Sequence, residues 1–352
     1  MRRRTLILLA LSLISANGLQ GQTSRWEVAL AGSWMTPNNF NMLEYSAPVV
    51  SGEVSLWHCF MGDEWWVARR KNPAFGIRGS LAIAPTGIAG HRIGLVGVIK
   101  APLWRRWDYH IGAGLSTYTH SQYFSHDSEN IFISTLLSCL IDVGFDYCAT
   151  DRLSVSLALL HSSNGMLHRP NKGLNFLQMG LAYNLSGPGY RLQRDTLLPA
   201  PPAMKNRHAV GMTLQGGVVE SRDLRFDGYY PCYDVSFNYQ YYLDPVVAVG
   251  GTLDLWYNGS HYRLSRMLGE SYTFPCYVST LGYIEGKWDR VSIKAGIGPV
   301  LVAPPRVNIR FYERVGVYYN FGFGRHYVGV SLHAHAGVIE FIEWGYGFRI
   351  PV

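Results

Sequence analysis

The chain has 352 residues, of which 48% are hydrophobic, 14% aromatic and 16% charged, with a formal net charge of +7. The positive charge is mild and unclustered: Arg69-Arg70-Lys71 and Arg105-Arg106 are short loop runs. That excludes a nucleic-acid-binding patch and suits anionic lipid headgroups equally well. Cys59, Cys139, Cys148, Cys232 and Cys276 lack metal-ligand spacing, and their odd number excludes a fully paired disulfide framework.

In chain order, Met1-Arg2-Arg3-Arg4 precedes the apolar run from Thr5 to Ile14, and small and polar residues follow to Gln22. A basic start, a short apolar core and a small-residue cleavage zone predict a cleaved signal peptide over 1–22. The alternative is an uncleaved anchor, but the run is shorter than the ~20 residues a spanning helix needs. No later stretch reaches that length. Losing this leader removes three arginines and no acid, which leaves the mature chain at +4.

Beyond the leader the chain is a series of period-2 alternations broken by Gly, Pro, Asn and Asp turns. Strands are predicted near 25–36, 46–60, 73–87, 91–103, 106–120, 131–149, 152–163 and 174–186. Ile141, Val143, Phe145 and Tyr147 alternate with Asp142, Gly144 and Asp146. Carboxylates are costly on a lipid face and acceptable inside a barrel, so the apolar set points outward. The Pro-rich stretch 187–206 has no alternation and reads as a linker.

The second half resumes near 207–220, 229–243, 246–257, 273–287, 290–302, 308–321, 325–336 and 339–350. Tyr233, Val235, Phe237, Tyr239 and Tyr241 alternate with Asp234, Ser236, Asn238 and Gln240. With 23 Tyr and 10 Trp to form interfacial girdles, the pattern predicts an all-β, antiparallel transmembrane β-barrel of the outer-membrane type. Two architectures fit the segments at 23–186 and 207–352: one barrel of about 14–16 strands, or two tandem eight-stranded barrels. The inward polar residues, Lys294 and Gln240 among them, favour a single barrel with a roomy wet interior. A soluble β-sandwich is the alternative fold, although its outer face would carry more charge than these Ser, Gly and Asn positions do.

The stretch with most chemical content is His161-Ser162-Ser163-Asn164-Gly165, followed by Pro170-Asn171-Lys172-Gly173-Leu174-Asn175. Leu153, Val155, Leu157 and Leu159 set an apolar face, and continuing that count places His161 and Ser163 on it. A base and a hydroxyl two residues apart on one strand face point the same way and can meet. If that face meets lipid, the pair stands where a lipid substrate lies. The bland alternative is an interfacial histidine followed by an ordinary Ser-Asn-Gly turn.

His-x-Ser-Asn followed by Pro-Asn-x-Gly resembles the signature of outer-membrane lipid A 3-O-deacylases, within the broader acyloxyacyl-hydrolase-like grouping. The likeness extends more loosely to about Leu185 and leaves the second half unexplained. It implies a small eight-stranded barrel carrying a serine esterase, with Ser163 as nucleophile and His161 as general base. Asn164 and the backbone at Gly165 would then hold the oxyanion. One departure stands out: the family's histidine-orienting glutamate has no acid at the matching positions, Leu174 and Asn175. Asn175 shares the outward face with His161 and Ser163, and its side-chain carbonyl is able to accept from the histidine. A slower enzyme, an acid supplied from elsewhere and a lost activity are the three outcomes left open. His168 and Lys172 are candidate contacts for substrate phosphates, from charge and proximity alone.

His333 and His335 occupy the corresponding place in the second half, but Val328, Val330 and Leu332 set the apolar face, so both histidines point inward. No third metal ligand is evident, and Glu340 and Glu343 on the same hairpin are pairing partners. They are read as lumen structure rather than a metal site. The expected function is ester hydrolysis of an acyl chain of lipid A or a related glycolipid, with no cofactor required. The expected setting is the outer membrane, with membrane lipids and the barrel-assembly machinery as partners and no nucleic acid. The competing class is an inactive barrel serving as a channel or lipid-binding scaffold.

Overall fold

The computed structural model describes residues 22–37, 44–60, 66–67, 70, 72–84, 88–121, 123, 132–163, 173–186, 204, 206–221, 228–269, 276–304, 309–322, 324–335 and 338–352. The signal peptide expected over 1–22 falls, up to residue 21, outside them, as does nearly all of the expected linker at 187–206.

Among the described residues, sixteen antiparallel strands close into two separate barrels. The first contains β1 (Gln22–Pro37), β2 (Ala47–Phe60), β3 (Ala74–Ile83), β4 (Arg92–Trp104), β5 (Trp107–Tyr118), β6 (Ser138–Cys148), β7 (Leu153–Ser163) and β8 (Leu174–Asn184). It closes where β8 returns to β1, from Glu27 opposite Asn184 to Pro37 opposite Leu174. The second contains β9 (His208–Glu220), β10 (Tyr229–Asp244), β11 (Val247–Asn258), β12 (Cys276–Trp288), β13 (Val291–Val302), β14 (Phe311–Phe321), β15 (His326–His335) and β16 (Val338–Pro351). It closes β16 onto β9, and a helix α1 (Gly259–Met267) follows β11. None of the five cysteines is in a disulfide.

The tandem arrangement is therefore the one adopted, and the expectation of one roomy wet barrel is overturned. Eight strands enclose a space that side chains just fill, and the inward polar residues satisfy one another there. Gln240 donates to Glu285, which also pairs with Arg349 at 3.3 Å. The Lys294 ammonium lies over the rings of Tyr283, Tyr318 and Tyr327, 4.5, 5.2 and 5.4 Å from their centroids. In the first barrel Arg78 meets Asp142 at 2.7 Å, and Lys100 meets Asp146 at 3.1 Å. His110 bridges the two carboxylates, with Nδ1 3.0 Å from Asp146 and Nε2 3.2 Å from Asp142. Alternation in these strands thus separates an apolar outer wall from a polar, ion-paired interior.

Removing one partner of such a buried pair strands the other charge, at a cost of about 3–5 kcal/mol. Asp142→Ala, which takes from Arg78 its nearest carboxylate, leaving Glu53 at 3.6 Å, and strips one nitrogen of His110 of its partner, is expected to destabilise the first barrel by up to that amount in urea unfolding from lipid vesicles. A loss under about 1 kcal/mol would show that the network does not hold the barrel together.

The connections sort by length onto two ends. At one end lie Arg105-Arg106, 149–152, 245–246, 289–290 and 322–325; the other carries 38–46, 84–91, 119–137, 164–173 and 259–275. The short end departs from this at 61–73, and the long end at 336–337. In outer-membrane barrels the short turns are periplasmic and the longer loops extracellular, which orients the molecule. The two barrels touch at the short-turn end. There Trp66 and Val67 pack with Val246 and Trp288, and Arg70 donates to the carbonyls of Val246 (2.5 Å) and Lys287 (3.0 Å).

Candidate active site

The outward row of β7 runs Leu157, Leu159, His161, Ser163 toward the long-loop end, and the first two are exposed. In register, His161 stands between Ile141 of β6 and Asn175 of β8, while Ser163 stands opposite Cys139. A direct cross-strand pair brings side chains within reach of each other. His161 Nδ1 lies 2.7 Å from Asn175 Oδ1. The amide oxygen only accepts, so Nδ1–H donates and Nε2 keeps its lone pair. That is the tautomer a general base needs.

Ser163 is 5% exposed, and its Oγ makes no hydrogen bond to any described residue. His161 and Asn175 are thus brought together, while the Ser163 hydroxyl is close by but not bonded to the ring. Gly173 defines the space they share: a Cβ there would stand 3.1 Å from His161 Cε1 and 3.5 Å from Ser163 Cβ. Gly173 also has φ +67°, a conformation that costs other residues about 1–2 kcal/mol. The glycine of the Pro-Asn-x-Gly stretch therefore serves both the turn and the close approach to the histidine. If the motif hydrolyses an ester as its resemblance implies, Gly173→Ala is expected to lower turnover about 10-fold or more with the barrel still folded, by pressing its methyl against the ring. Unchanged turnover of the folded variant would remove Gly173 from the site.

Ser162 points the other way. It is fully buried inside the barrel with its hydroxyl 3.1 Å from Ser116 Oγ, so alternation selects between the two adjacent serines. Beneath it lie buried Tyr118 and Arg92, whose guanidinium sits 4.8 Å over the Phe176 ring. Sequence reasoning missed this inner support, because Ser116, Tyr118 and Arg92 come from β4 and β5 and meet β7 only through barrel closure. Asn164, Gly165, His168 and Lys172 lie outside the described residues. His333 and His335 face the interior of the second barrel, remote in the fold from β7.

Closed antiparallel barrels with an apolar wall and an ion-paired interior define an outer-membrane β-barrel protein. Residues 54–184 match the family described as lipid A 3-O-deacylase (PagL), and residues 208–352 match that of the acyloxyacyl hydrolase C-terminal domain. The chain belongs to this family of outer-membrane lipid A deacylating enzymes, and its second barrel is that C-terminal domain. The second half, unexplained by the motif, is thus accounted for as well. No curated protein matches the chain significantly. Among solved structures, the outer membrane enzyme PagL is 14% identical over 45% of this chain and 98% of its own, with a TM-score of 0.32. Neisserial surface protein A is 12% identical over 47% and 99%, with a TM-score of 0.29. A mutant Rh. blastica porin is 10% identical over 94% and 100%, with a TM-score of 0.20.

Proposed function

We propose that the protein is a serine esterase that removes an ester-linked acyl chain from lipid A, or a closely related glycolipid, at the outer wall of its first barrel. The observation that carries this reading is the His161–Asn175 bond, which holds the histidine as a base beside Ser163 on a lipid-facing strand. The site lies at the long-loop end, level with the outer leaflet in which lipid A resides.

In the proposed reaction the Ser163 hydroxyl attacks the ester carbonyl while His161 Nε2 takes its proton. Asn175 holds Nδ1–H as the imidazolium forms. The tetrahedral intermediate collapses to an acyl-serine, and the sugar oxygen leaves with the proton from Nε2. Water then attacks the acyl-serine with the histidine again as base, which frees the fatty acid and restores the hydroxyl. Asn164 and the Gly165 N–H are the proposed oxyanion donors, with His168 and Lys172 the proposed contacts for the lipid A phosphates. Leu159, Leu177 and Met179, all exposed on the same wall, offer a track for the departing chain.

The filled interiors of both barrels weigh against the channel reading. Mass spectrometry of lipid A from cells producing the chain tests the proposal. The expected result is a species lighter by one hydroxyacyl or acyl group; intact lipid A from cells with correctly folded barrel would refute it. The leader over 1–22 is proposed to be cleaved on export, which the same preparations check through the mass of the mature chain.

A further inference from the structure

The second barrel holds a cluster of histidines and a carboxylate that the esterase reading does not use. At the long-loop end of β15, His333 and His335 point inward, and β16 returns beside them. The pairing slips by one residue, since His333 stands opposite Phe341 but Ala334 opposite Ile339, leaving Glu340 as the extra residue of a bulge. Bulges re-aim side chains, and this one turns Glu340 into the barrel, where it is buried.

Each group is held so that one atom faces the others. His333 Nδ1 is 3.4 Å from Glu343 Oε1, and His335 Nδ1 is 3.1 Å from the Phe311 carbonyl oxygen. Both acceptors favour a proton on Nδ1 and turn each Nε2 toward the cluster, where His335 Nε2 meets the Glu340 carboxylate. Glu340 Oε1 is already taken: Asn258 Nδ2 donates to it at 2.9 Å, and His261 Nε2 of α1 lies 3.1 Å away. His261 Nδ1 in turn accepts from the Tyr277 hydroxyl at 2.5 Å. That leaves Glu340 Oε2. It stands 2.5 Å from His335 Nε2 without the alignment of a hydrogen bond, and His333 Nε2, on a fully buried ring, has no hydrogen-bond partner. The ligand atoms of His333, His335 and Glu340 all lie within 4.8 Å of one another. Their walls are aromatic: Trp256 and Tyr277 stack at 3.7 Å, and Phe341 lies 4.5 Å from the His333 ring.

We infer that His333, His335 and Glu340 form a site for a divalent first-row transition metal, with zinc as the ion the donor set suits best. Two imidazole nitrogens and one carboxylate oxygen, each oriented by a second hydrogen bond, are a three-ligand set whose fourth position is left to water. Bond lengths of about 2.0–2.2 Å set the ligand atoms roughly 3 to 3.5 Å apart, so the ion parts His335 from Glu340 by a small side-chain rotation. A divalent cation also balances the buried Glu340 charge, for which no lysine or arginine partner is found among the described residues. The site rests on the second barrel alone and is independent of the reaction at Ser163.

Full-length protein, folded in detergent and stripped with chelator, is titrated with Zn2+ by calorimetry and with Co2+ by visible absorption. The expected result is one equivalent of Zn2+ per chain and a Co2+ band of four-coordinate intensity. His335→Ala and Glu340→Gln should each weaken binding about 100-fold or more. Absence of stoichiometric binding by the wild type overturns the inference, as does binding that both variants retain. Should Glu340→Gln fail to fold, judged by heat-dependent gel mobility, His335→Ala at the less buried rim and the wild-type Co2+ spectrum decide.

Discussion

Ser163→Ala is expected to lower the rate of lipid A deacylation by about 1000-fold or more while the barrel folds normally, because the reaction loses the atom that accepts the acyl group. His161→Gln should fall by a similar factor, and the double variant little further, since nucleophile and base act as one unit. Ser162→Ala is the informative control. That hydroxyl lies inside the barrel against Ser116, so its loss should leave turnover within a few-fold of wild type. The check is a time course with purified protein in mixed micelles, together with intact-protein mass spectrometry for an acyl adduct that is present in wild type and missing in Ser163→Ala. If Ser162→Ala were the dead variant and Ser163→Ala the active one, the outward-facing reading of β7 would be wrong.

The second large effect concerns Asn175, and its two substitutions should move the rate in opposite directions. In serine hydrolases, asparagine in the acid's place can select the wrong histidine tautomer, at about 10^4-fold in turnover. Here the amide oxygen faces Nδ1 at 2.7 Å, so the tautomer is right and only the charge is missing. A charge-assisted bond to the developing imidazolium is roughly twice as strong as a neutral one. Asn175→Asp should therefore raise turnover about 10-fold. Asn175→Leu removes the orienting acceptor and should cost about 100-fold. Turnover that is indifferent to both changes would mean that His161 takes its orientation from another group.

Much of this architecture was legible in the residues, because alternation is a direct record of which side faces lipid. The runs at Ile141–Tyr147 and Tyr233–Tyr241 lie within β6 and β10, and the expected ends of most strands fall within a few residues of those observed. The 131–149 segment was overrun, since Phe132 and Ile133 are apolar and fully buried yet precede the first residue of β6, Ser138. Whether the ring closes once or twice was hidden. Lys294 and Gln240 read as water-facing, and their partners Tyr283, Tyr318, Tyr327 and Glu285 are distant in sequence. The facing of His161, Ser163 and Asn175 followed from counting by twos. The spacing role of Gly173 did not, since a positive φ leaves no mark beyond the glycine itself. Likewise Glu340 turns toward His335 only through a bulge, and alternation carries no notice of one.

The outward placement of His161 and Asn175 has a kinetic corollary. A side chain on the outer wall meets its substrate by lateral diffusion within the leaflet, so molarity in the surrounding water is the wrong concentration scale. Rates should follow the mole fraction of lipid A in the surface and fall as inert lipid or detergent dilutes it, even at constant bulk lipid A. The released fatty acid enters the same leaflet and accumulates where the reaction occurs. Turnover would then answer to the composition of the membrane itself, and a change in neighbouring lipids would act on the protein as a change in substrate supply.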